Sequence, residues 1–139
     1  MTDKFNDNVV MLKKGDFDDK LNLNKKGKVV ILYFADWCGH CQHLKPDYQK
    51  LADNKEGFTV AAVNSDDNDG LIKMIQSKGD KAEYQVQGFP TIVSYYDGKY
   101  FSTYGPSEGQ GAQKFRTFED LMEYANDIGS ADITFVDRR

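Results

Sequence analysis

Residues 28–35 read KVVILYFA, an unbroken run of β-branched, aliphatic and aromatic side chains. A strand of that composition, with no polar alternation, is buried on both faces, as in the centre of a parallel or mixed α/β sheet. This run therefore requires helices on either side of a sheet, and the flanking sequence supplies them. VVMLK (9–13) reads as a first short strand. GDFDDKLN follows, predicted as a helix with Asp16 as N-cap and Phe17 and Leu21 on one face. From Cys38 to about Asn54, Cys41, Leu44, Tyr48 and Leu51 recur at helical spacing, with Pro46 inside expected to kink the helix. FTVAAVN (58–64) is a second buried strand. SDDND then opens a helix whose apolar face is Leu71, Ile72 and Ile75.

The second half ends in a hairpin and a helix. Residues 91–96 and 99–104 read as strands joined by Asp97-Gly98, a strong two-residue turn signal. GPSEGQGAQK is a Gly-rich loop. Thr117 and Asp120 form a T-x-x-D cap for a last helix that buries Phe118, Leu121, Met122 and Ala125 and stops at Gly129. Strand-helix alternation ending in one hairpin predicts an α/β fold: a mixed sheet of about five strands with helices on both faces. The 139 residues suit one domain, with its core over about 9–128 and a tail, 130–139, to which the pattern assigns nothing.

Between the central strand and its helix lies YFADWCGHCQHL, residues 33–44. It holds the chain's only two cysteines, only two histidines and only tryptophan. Cys38 falls at a helix start, where free N–H groups and the positive dipole end favour thiolate over thiol. Cys41 lies one turn further along the same face, within reach of the first sulfur. It is expected to be the more buried of the two and so the natural resolving thiol. This spacing suits two-step exchange through a mixed disulfide. His40, between them, can stabilise the thiolate and tune the couple toward oxidation. Trp37 offers an aromatic lip. The competing reading is zinc, with Cys38, His40, Cys41 and His43 as four ligand types in six residues. One short helix does not readily wrap all four around a tetrahedral ion, and no second C-x-x-C or H-x-x-x-H occurs elsewhere. His43 reads as a plain exposed helix residue. A bridge across so short a loop is a poor structural staple.

WCGHC after a buried strand, with GFPT some fifty residues on, resembles the thioredoxin superfamily, and Gly-His between the cysteines is most like a protein disulfide isomerase a-type domain. The resemblance spans about residues 9–128. It implies a thioredoxin fold and thiol–disulfide exchange on protein cysteines by reduction, oxidation or isomerisation, with no cofactor. It implies Cys38 as nucleophile, Cys41 as resolving thiol, and a cis bond before Pro90 that sits against the dithiol and helps exclude metals. Trp37, Gly39, Phe89 and Pro90 would form the substrate groove, with the Phe89 backbone pairing with an extended client. The partners it implies are protein thiols and disulfides, with a recycling agent such as glutathione or a thioredoxin-reductase-like protein.

Three positions depart from that pattern. Leu32 stands where the family buries an acid, and Ala62 where a lysine pairs with it. The segment LIKMIQSKGDKAEY before Pro90 is enlarged and expected to reshape one rim of the groove. Asp36 is expected to face solvent. The binding-module alternative, a scaffold with a slow or vestigial dithiol, draws on Leu32 and Ala62.

Net charge is −4, which gives nucleic-acid binding no electrostatic support. Lys25, Lys26 and Lys28 read as a solvated turn. No apolar run reaches membrane-spanning length and no signal or retention motif is visible, so the expectation is a cytoplasmic monomer. Lysine outnumbers arginine 15 to 3, a bias of AT-rich genomes such as those of protists, low-GC bacteria and large cytoplasmic DNA viruses. A viral source would add the virion as a location.

Overall fold

A computed structural model of the chain describes residues 5–104, 117–129 and 136–137. Its elements in chain order are β1 (Val10–Met11), β2 (Lys28–Phe34), α1 (Gly39–Asp53), β3 (Phe58–Asn64), α2 (Asp69–Ser77), β4 (Thr91–Tyr96), β5 (Lys99–Tyr104), α3 (Phe118–Asn126) and β6 (Val136–Asp137). They form one mixed sheet of order β1-β3-β2-β4-β5-β6. β2 runs parallel to β3 and antiparallel to β4. The five strands expected are present, and the two-residue β6 adds a sixth at the edge of β5.

The apolar run is the central strand because both its faces are covered. Val30, Leu32 and Phe34 pack with α1 and α3 through Leu44, Tyr48, Leu51, Leu121, Tyr124 and Ala125. Val29, Ile31 and Tyr33 point the other way, onto Leu71, Ile72 and Ile75 of α2. The period-two alternation of a strand thus feeds two separate cores. The hairpin between β4 and β5 has positive φ at both Asp97 and Gly98, the mirror-image turn that matches strand twist. No described helix is long and apolar enough to cross a membrane.

Two expectations are corrected. GDFDDKLN, residues 15–22, does not form the helix expected. A 3₁₀ turn covers Lys14–Asp16, Phe17 then bridges antiparallel to Leu23, and Leu21 has φ 65°. The cause is Asp18, whose Oδ1 accepts from the backbone N–H groups of Lys20 and Asn22 at 2.8 and 2.9 Å. Such local bonds compete with helical ones. Asp16 is not an N-cap but the third residue of the 3₁₀ turn, where its Oδ2 accepts from the N–H of the capping residue Lys13 at 2.9 Å. Phe17, Leu21 and Leu23 are nevertheless buried, so the loop still covers the core. In α3, Thr117 caps as expected, accepting from the Asp120 N–H at 3.2 Å. The buried face, however, is Leu121, Tyr124 and Ala125, with Phe118 and Met122 only half-buried at its margin. The helix ends just ahead of Gly129, whose φ is 83°. The Gly-rich loop at 105–114 lies outside the described residues.

Candidate dithiol site

β2 ends at Phe34, and a turn through Asp36 and Trp37 delivers Cys38 to the N-cap of α1. There the backbone is extended (φ −86°, ψ 113°), and the side chain does the work Ser or Asp does at other caps. Cys38 Sγ accepts a hydrogen bond from the Cys41 N–H at 3.1 Å. That bond survives ionisation of the sulfur, and a helix N-terminus favours negative charge. The second partner comes from far along the chain: the Cys38 thiol donates to the Phe89 carbonyl at 3.4 Å. Phe89 precedes Pro90 through a cis peptide bond. The two cysteines are not joined by a disulfide.

The expected difference in burial is absent: Cys38 is 5% exposed and Cys41 4%. Capping draws Cys38 inward under Phe89, so burial does not separate nucleophile from resolving thiol. Access differs through the neighbours instead. Gly39 stands in front of the pair with open space about it. Trp37 is 71% exposed, and its ring meets the Phe89 ring edge-on at 5.8 Å. Phe89 thus stands against both Trp37 and Cys38, and Pro90 follows it through the cis bond. His40 and His43 are exposed, and the described partners of Cys38 Sγ are the Cys41 N–H and the Phe89 carbonyl rather than an imidazole. Any effect of His40 on the thiolate therefore acts through space. Among the described residues no three metal-ligating side chains converge.

One contact had no sequence signal. The Trp37 indole N–H donates to Asp66 Oδ1 at 3.3 Å. The acidic stretch SDDND reads only as a helix opener, yet it reaches the lip of the site because β2 and β3 end side by side. Asp36 is half-buried rather than solvent-facing, since its Oδ1 accepts from Asn64 Nδ2 at 3.4 Å. Behind the site, Leu32 and Ala62 are direct partners in the β2–β3 register and are 1% and 0% exposed. The two apolar replacements thus sit against each other. Residues of the enlarged segment, among them Gly79 and Tyr84, line a groove together with Phe89 and Pro90.

Fold and site together define an α/β protein with a dithiol at a helix N-terminus, faced by the carbonyl that precedes a cis-proline. The thioredoxin family model matches residues 8–123. The chain belongs to the thioredoxin family. It is similar to the protein disulfide-isomerase of Saccharomyces cerevisiae, with 33% identity over 127 residues, 91% of this chain and 22% of the relative. It is similar also to protein disulfide-isomerase like 2-2 of Arabidopsis thaliana, with 38% identity over 81% of this chain and 22% of the relative. The chain thus spans about a fifth of the curated relatives it matches. Among solved structures, the first thioredoxin domain of mouse protein disulfide-isomerase A4 superposes with a TM-score of 0.63 at 26% identity, covering 94% of this chain and 82% of that one.

Proposed function

We propose that the chain is a thiol–disulfide oxidoreductase domain acting on protein cysteines. The observation that carries this reading is Cys38 Sγ, held at the α1 N-terminus by the Cys41 N–H and faced by the Phe89 carbonyl. In the reducing direction, the Cys38 thiolate attacks one sulfur of a client disulfide. The client S–S bond breaks, and the departing client thiolate takes up a proton. Cys41, having lost its proton, attacks Cys38 Sγ. The mixed disulfide breaks, Cys38 and Cys41 are joined, and the client leaves with both thiols and two electrons. The reverse sequence oxidises a client, and attack without net electron transfer isomerises one. Phe89 offers its carbonyl to an extended client backbone, with Trp37 and Pro90 beside it. Gly39 leaves the approach open. His40, between the cysteines and exposed, is the residue proposed to tune the couple. Glutathione or a thioredoxin-reductase-like protein resets the couple.

The test is a pair of variants. Cys38→Ser should abolish exchange, whereas Cys41→Ser should accumulate mixed disulfides with clients. Equal residual activity in both would sink these roles. The buried Leu32–Ala62 pair favours a second reading, a client-binding module with a slow dithiol, because it places no ionisable pair behind the site. Titrating Trp37 fluorescence in glutathione buffers separates the two. A reversible two-electron transition supports the oxidoreductase, and no transition supports the module.

A further inference from the structure

The segment between α2 and β4 closes one side of an open groove of about 720 Å³. Pro90, Thr91 and Thr103 form the other side. Phe89 belongs to the same lining, and its carbonyl is the group 3.4 Å from Cys38 Sγ. Phe89 is therefore common to the groove and to the dithiol site, although neither cysteine lines the groove. Its volume is that of a small-ligand pocket, enough for a few residues of extended chain and too small for a folded one.

The wall of this groove is tied down. The Tyr84 hydroxyl sits between those of Tyr33 and Tyr95, at 2.7 and 2.9 Å. Gln85 Nε2 donates to the Ile75 and Gly79 carbonyls at 2.9 and 3.1 Å. Gln76 Nε2 donates to the Val86 carbonyl at 3.1 Å. A wall ordered in advance loses little freedom when a ligand docks. Its charge is one-sided. Among the described residues, the lining contains two exposed carboxylates, Asp80 and Glu83, and no lysine, arginine or histidine. Lys81 lies between them in sequence but is not part of the lining, and Lys78 is held at the Asp19 carbonyl.

We propose that this groove is the subsite for the client chain on one side of its reactive cysteine, and that Asp80 and Glu83 select clients carrying lysine or arginine there. The inference rests on the dithiol reading and adds a substrate preference to it. Exposed charge pairs are individually weak, so the effect is a bias in rate rather than an absolute requirement.

The test uses the full chain carrying Cys41→Ser, so that adducts accumulate. The probes are synthetic disulfide-activated cysteine peptides with Lys-Lys or Glu-Glu on the N-terminal or the C-terminal side. The readout is the rate constant of mixed-disulfide formation at low salt. The lysine peptide should react about three- to tenfold faster than the glutamate peptide, for the flank on one side of the cysteine only. Asp80→Asn with Glu83→Gln should bring that ratio close to one. Glu119→Gln with Glu123→Gln removes the same charge from α3, across the sheet, and should preserve it. Equal rates for all peptides would overturn the assignment. So would an equal fall in both double variants, which would put the preference down to overall charge. A small neutral disulfide separates the two levels. If it fails to react with Cys38, the dithiol reading fails and this inference with it. If it reacts while the peptides are not distinguished, the groove assignment alone falls.

Discussion

Raising the pH above about 10 should unfold this protein steeply. Tyr33, Tyr48, Tyr84, Tyr95 and Tyr124 are buried, and burial pushes each phenol above its ordinary value near 10. The hydroxyls are engaged inside: Tyr33, Tyr84 and Tyr95 with one another, Tyr48 with the Ala61 carbonyl at 2.6 Å, and Tyr124 with the Ser102 carbonyl at 3.1 Å. Because the folded values are raised, the unfolded chain releases these protons first. Below about pH 10 both states keep them, and the stability they contribute is fully present. Above it, each buried phenol costs about 1.4 kcal/mol per pH unit. Five together give a slope of about 7 kcal/mol per unit. A domain stable by about 5–15 kcal/mol then loses its margin between about pH 11 and pH 12. The assay is urea unfolding at a series of pH values, with tyrosinate absorbance followed in parallel. Absorbance and loss of circular dichroism should rise together in one cooperative step. Tyr84→Phe should lower the slope by about one fifth. Gradual tyrosinate formation near pH 10, in a chain whose circular dichroism is unchanged, would refute the reasoning.

Other perturbations probe single contacts. Tyr84→Phe removes hydrogen bonds to two hydroxyls and should cost about 2 kcal/mol in urea unfolding. Tyr33→Phe with Tyr84→Phe should cost less than the sum by about 1 kcal/mol, since no hydroxyl is then stranded; strict additivity would argue against the network. Gly98→Ala should cost about 2 kcal/mol or more, because φ is 87° and the new Cβ would lie 2.7 Å from the Leu23 carbonyl oxygen. Gly27→Ala, with φ 75° but open space, should cost only about 1 kcal/mol, and the reverse order would discredit the steric argument. His40→Pro should make the couple more reducing in glutathione buffers, and an unchanged potential would remove His40 from the mechanism.

Much of the fold was legible because its signals are local. β3, β4 and β5 fall on the residues their composition marks, and β2 and α1 lie within a residue of expectation. The misread segment at 15–22 has a local cause too, but one that periodicity does not register: the Asp18 carboxylate captures two backbone N–H groups. In α3 the apolar residues occupy more than one face, and Tyr124 won the core because its hydroxyl finds Ser102 on β5. No local pattern states that choice.

The same division runs through the site. The amino-acid sequence by itself determined that Cys38 caps a helix, that Cys41 follows one turn later and that a Phe-Pro pair lies downstream. Those facts follow from strand composition, helical spacing and cap chemistry, all set by neighbours within a few residues. Tertiary structure alone decided what surrounds the sulfur. The Phe89 carbonyl arrives from 51 positions away, Asp66 reaches Trp37 from 29, and Leu32 meets Ala62 through the β2–β3 register. It also decided that the two cysteines are equally buried and that Asp80 and Glu83 line the same groove as Phe89. Such contacts depend on how strands pair and where loops close, and those choices are made by the whole core at once.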